Sequence, residues 1–130
     1  MEAKDFELLL KYSMGQSEKV LAAKREEYAA DGVSTDRLQN FKRAGAMDNE
    51  SPEKALWGML KKHLISISDI ITEIEAGKLP SHEKLFEKGI DVCNYIYLLE
   101  GLVCERIGLP PECFPKKPSF TETLKKRGRK

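Results

Sequence analysis

Between Val92 and Cys104 the chain carries only two polar side chains, Asn94 and Glu100. A helix apolar nearly all round must be covered by neighbours on several sides, so this stretch excludes any fold that leaves it alone on a surface. Its limits are marked in the sequence. Ser81 is a helix N-cap, and Gly108 followed by Pro110 and Pro111 is a stop, which predicts a helix over about 82–107. A chain of 130 residues can build one core without disulfides or metal. It is short, however, for enclosing such a helix completely. Part of the cover is therefore expected from a second subunit, as a homodimer or higher homo-oligomer.

The neighbours read as helices too. Ser51, Pro52 and Glu53 place a cap, a first-turn proline and a first-turn acid in succession, and Gly77 with Pro80 closes the segment, which predicts a helix over about 52–76. Its apolar line is Leu56, Met59, Leu60, Leu64, Ile67, Ile70, Ile71 and Ile74, a three-four repeat. Upstream, EAKDFELLLKYSM predicts a short helix with Phe6, Leu9, Leu10 and Met14 on one side, ended by Gly15. A second is expected to begin at Ser17 as N-cap and to reach Gly32. Residues 33–50 offer the cap-like Ser34, Thr35 and Asp36, then a short helix and a loop. Alternating β-branched runs are nearly absent. The expected fold is all-α, a bundle of four to five helices forming one domain over 1–109, with 110–130 as a proline-containing basic tail.

The net charge of +1 hides an asymmetry. The last sixteen residues hold seven Lys or Arg and one Glu, whereas the first 114 hold fifteen basic and twenty acidic side chains. Such a tail can meet nucleic acid or an acidic partner, or serve only as a solubilising end. Cys93, Cys104 and Cys113 form no regular framework; the first two are eleven residues apart on one helix, a rise of ~16 Å that no disulfide spans. MEAKDFELLL has no basic region before a long apolar stretch, and no segment reaches the ~18 apolar residues of a membrane span. No membrane partner and a cytoplasmic location are expected.

The candidate site comes from polar lines on the helices. Glu87, Asp91 and Asn94 are spaced by four and three, so they stack on one face, and the apolar surroundings of the last two demand a partner for them. On the preceding helix Lys62, Ser66, Asp69 and Glu73 stack likewise, with His63 at the border of that strip. The earlier helix offers Lys24, Glu27 and Asp31. Carboxylates converging from three helices can hold a divalent cation, because magnesium takes oxygen ligands and keeps waters for a phosphate substrate. The same residues would read as ordinary solvated faces if each met water. No G-x-S-x-G context, no phosphate-cradling G-x-x-x-x-G-K-[ST] loop and no helix-turn-helix is present.

The stretches KREEYAADGVSTDRLQNFKRAGAM, SPEKALWGMLKKHLISISDII and EKGIDVCNYIYLLEGLVCER together resemble a family of small phage and prophage proteins of Gram-positive bacteria, over roughly residues 17–107. More distantly, the chain is similar to the all-α nucleoside triphosphate pyrophosphohydrolases of the MazG type. That resemblance implies acidic pairs on adjacent helices that bind magnesium, and a site completed by oligomerisation. Asp91, followed by Asn94 and Tyr95, looks like the second acidic motif; its glutamate stands four residues upstream as Glu87, with Lys88 in the family's place for it. The middle helix has Lys62, His63 and Asp69 where that family has two glutamates. The implied site has Glu87, Asp91 and Asp69 on magnesium and Asn94, His63, Lys62 and Glu27 around a nucleotide. The alternative is a non-catalytic helical protein acting on a host or phage factor.

Overall fold

The computed structural model describes residues 1–29, 36–116 and 120–128, without the side chains of 26–29, 120, 122 and 123. Five α-helices and no strand occur among the described residues: α1 (Ala3–Ala29), α2 (Gln39–Met47), α3 (Pro52–Glu75), α4 (His82–Ile107) and α5 (Phe120–Arg127), with a single 3-10 turn at Pro111–Cys113. The all-α expectation holds.

The two long helices start as their sequences dictate. Ser51 Oγ accepts the backbone N–H of Lys54, and Ser81 Oγ that of Lys84, each at 3.1 Å, satisfying donors that a helix start leaves unpaired. Gly108 ends α4 with φ at +87°, a conformation that costs a side-chain-bearing residue about 1 kcal/mol or more. The N-terminal half departs from expectation. In place of two helices separated at Gly15, α1 is continuous through Gly15 and Ser17. One isolated glycine weakens a helix by about 1 kcal/mol, and no proline or second breaker adds to it, so the flanking turns carry the helix across. Ser17 is not a cap but, with Asn94, one of two buried polar residues among those described.

The helices α3 and α4 form an antiparallel hairpin joined by residues 76–81. Its register is read from three contacts along its length: Glu73 with Lys84 at 3.0 Å, His63 with Asp91 at 3.4 Å, and Glu53 with Arg106, whose Nη2 donates at 3.0 Å. On one side of the hairpin α2 packs against α3 and α1 against α4; among the described residues α5 packs on none of these helices. The core is where the layers meet: Leu38, Phe41, Leu56 and Leu102, with Met59, Tyr95, Leu98 and Leu99 packed around them. Leu38 packs beside Gly101 of α4 at a distance that an added Cβ would meet as ordinary contact, 3.4 Å, whereas one closer approach fixes the α2 corner. At Gly45 a Cβ would lie 2.7 Å from the backbone oxygen of Glu50. Backbone cannot yield there as a side chain could.

Ion pairs tie the corners. Lys42 Nζ bridges Asp36 at 2.7 Å and Glu105 at 2.9 Å, linking the approach to α2 with the end of α4. Hydrogen bonds from Lys42 and from the Leu38 N–H hold the Asp36 carboxyl below its ordinary value, and the bond from Lys84 does the same for Glu73. The Arg106 guanidinium, then the local backbone N–H, lowers Glu53 to about 2. All three carboxyls are depressed in the fold, so their stabilisation is complete above the unfolded values and is lost as pH falls through the folded ones. The urea midpoint should therefore decline between about pH 5 and pH 2, and Glu53→Gln should flatten part of that slope. An unchanged slope in the variant would show that Arg106 does not hold Glu53 in solution.

The other side of the hairpin is bare. On α3, Trp57, Leu64 and Ile71 repeat every seven residues and are 47%, 39% and 53% exposed. On α4, Leu85, Gly89, Val92, Ile96, Leu99 and Val103 alternate spacings of four and three, which sets them in one line along the helix. Leu85, Ile96 and Val103 are each more than a third exposed. The expectation that α4 needs cover on several sides thus meets a single chain that covers only part of it.

Candidate functional site

The polar line on α4 has three different fates. Glu87 is exposed, with Lys88 Nζ 3.8 Å away. Asp91 is mostly buried, and its Oδ2 lies 3.4 Å from His63 Nδ1. The His63 ring is tilted over Tyr95 with centroids 4.7 Å apart, and Tyr95 in turn meets Phe41 edge-on. Asn94 is 2% exposed, and neither its amide nitrogen nor its oxygen finds a partner among the described residues. The expected desolvation is present at Asn94. The expected partner is present only for Asp91, as His63.

Of the remaining candidates, Lys62 and Asp69 do not join them. Lys62 and Asp69 are exposed on α3. Asp69 stands six residues beyond His63, about 9 Å along the helix and about 240° around it, so a helix that aims His63 at α4 aims Asp69 elsewhere. The side chain of Glu27, along with Asp31, Ser34 and Thr35, lies outside the described residues. Among the described side chains no group of three His, Cys, Asp or Glu sits where it could hold a metal ion. Of the acids expected to gather from three helices, Asp69 does not join Glu87 and Asp91, and those of the earlier helix, Glu27 and Asp31, lie outside the described side chains.

What does form is a cleft of about 560 Å³ between α1 and α4. Tyr12, Gln16 and Val20 line one wall; Glu83, Glu87 and Asp91, at successive intervals of four, line the other with Phe86 and Ile90. Tyr12 closes onto Phe86 edge-to-face at 5.1 Å. A second hollow of about 680 Å³ runs beside α1 from Lys11 to Arg25, lined also by Arg37 and Tyr97. Arg37 Nη2 also donates to the Leu21 carbonyl, a tie between α1 and the segment before α2 that no sequence pattern announced.

The bare face of the hairpin has its own signal in the sequence. Its signal is the seven-residue spacing of Trp57, Leu64 and Ile71, matched by Leu85, Val92 and Leu99 on α4. Lys61 Nζ lies 5.7 Å from the centroid of the Trp57 ring, at the edge of this face.

Among protein-family models, curated proteins and solved structures, none matches the chain. No helix among the described residues is long and apolar enough to cross a membrane.

Proposed function

We propose that the protein is a non-catalytic helical interaction protein, and that the bare face of α3 and α4 is its working surface, closing on a second pair of amphipathic helices. One observation carries this reading: two antiparallel helices each present an apolar line at coiled-coil spacing on the side that α1 and α2 leave open. A contiguous apolar face of this size marks an interaction site on a water-soluble chain. In the phage and prophage family that the sequence resembles, such a protein would act as a regulator or antagonist of a host or phage factor, with the basic tail as an additional contact for nucleic acid or an acidic partner.

The second reading, nucleotide binding or hydrolysis with magnesium, draws its support from the α1–α4 cleft, which Glu87 and Asp91 border. Calorimetric titration of the full chain with nucleoside triphosphates, with and without magnesium, separates the two. Under the interaction reading no triphosphate binds more tightly than about 1 mM, and Asp91→Ala changes only stability. Magnesium-dependent binding that Asp91→Ala abolishes would overturn the interaction reading.

A further inference from the structure

We infer that the second pair of helices is the α3–α4 hairpin of another copy of this chain, related by a two-fold axis parallel to the helices, so that α3 of each copy lies over α4 of the other. This rests on the interaction reading above and names its partner. Three observations point to a copy of the chain.

The first is the match of levels. The register fixed by Glu73 with Lys84 and Glu53 with Arg106 sets the residues of this face in layers across the hairpin, the exposed ones beside the half-buried Gly89, Val92 and Leu99, the last of which also packs on the core. Trp57 is level with Leu99 and Val103, Leu64 with Val92 and Ile96, and Ile71 with Leu85 and Gly89. A rotation about an axis parallel to the helices keeps every residue at its own level. Each layer then meets its own copy, and all neighbouring helices run antiparallel, as in an up-and-down four-helix bundle. Gly89, where an added Cβ would meet nothing within 4 Å, leaves room in its layer for the second copy's Ile71.

The second is size. The exposed parts of the face amount to on the order of 700 Å² of mostly apolar surface, near the ~800 Å² that each partner contributes to a standard interface. A dimer at this face would also give α4 the cover that its composition requires.

The third is charge. Lys54 and Lys61 are exposed on the edge of α3 away from α4, and Glu100 is exposed on the edge of α4 away from α3. Within one chain these edges are on opposite sides of the hairpin. The two-fold brings them together, with Glu100 of one copy level with the stretch between Lys54 and Lys61 of the other.

Sedimentation of the full chain across a concentration series tests this. The expected mass is twice 14.8 kDa. Ile96→Glu places a charge in the central layer and should weaken the dimer by at least about 100-fold while the far-ultraviolet helix signal is kept. Should that variant fail to fold, Leu64→Glu on the facing helix serves the same purpose. Glu100→Lys and Lys61→Glu should each weaken the dimer by about three- to tenfold, and the double variant should recover most of the loss. A chain monomeric at every concentration overturns the inference, as does a dimer that Ile96→Glu and Leu64→Glu leave intact. A dimer broken by Ile96→Glu without recovery in the double charge variant overturns the two-fold arrangement. A monomer that binds no triphosphate removes the second copy alone; magnesium-dependent triphosphate binding removes the interaction reading beneath it.

Discussion

Leu56→Ala should lower the unfolding free energy by about 3–5 kcal/mol, with the urea midpoint falling and the slope of the transition unchanged. Leu56 is fully buried at the point where α2, α3 and α4 meet, in the cluster with Leu38, Phe41 and Leu102. Removing three carbons there forfeits their transfer from water and leaves a cavity that three helices cannot all close at once. Against a total stability of about 5–15 kcal/mol for an ordinary domain, that is a large share. Ile65→Ala, on the solvent side of the same helix, is the control and should stay within about 0.5 kcal/mol. Both are compared at one protein concentration, because association adds to apparent stability. A cost below about 1 kcal/mol at Leu56 would mean that the three helices do not share this core.

Asn94→Asp carries the other large effect. The amide is almost wholly enclosed, with neither polar atom paired among the described residues. A carboxylate of nearly the same shape would place an uncompensated charge in that space, a loss of about 3–5 kcal/mol at neutral pH. Burial raises the pKa of such a carboxyl, so the penalty should shrink as the solution is acidified and the group takes up a proton. Asn94→Leu removes the polar atoms altogether and should be neutral or stabilising by about 1–2 kcal/mol. Thermal unfolding of the three proteins at pH 7 and pH 5 would reveal the order. If aspartate is tolerated at neutral pH, the position is wetted or neutralised, and Asn94 belongs to a polar site after all.

These two positions also mark how far the sequence could be read. The limits of α3 and α4 were legible because local chemistry writes them: Ser51, Pro52 and Glu53 at one start, Ser81 at the other, and Gly77 and Gly108 at the ends. The break expected at Gly15 was not there, because a single glycine is a small penalty and no proline or second breaker stands beside it. For the site, periodicity correctly put Glu87, Asp91 and Asn94 on one line of α4, but a line says nothing of what stands opposite. The α1 side chains Tyr12, Gln16 and Val20 face Glu87, His63 faces Asp91, and nothing described pairs with Asn94. His63, at the border of two strips in sequence, points to α4, while Asp69 at the centre of its strip faces water. A turn of about 100° per residue decides such matters only once a neighbouring helix fixes the zero of the angle.

The closeness of Gly45 to the Glu50 carbonyl has a consequence for ancestry. Any homologue that keeps this corner must keep a residue without a side chain there, followed after five positions by the serine and proline that open the next helix. Solvent faces can drift until overall likeness is gone. The pattern G-x5-S-P-E, with a heptad line beginning shortly after it, would outlast that drift and is the fingerprint by which distant cousins could be found.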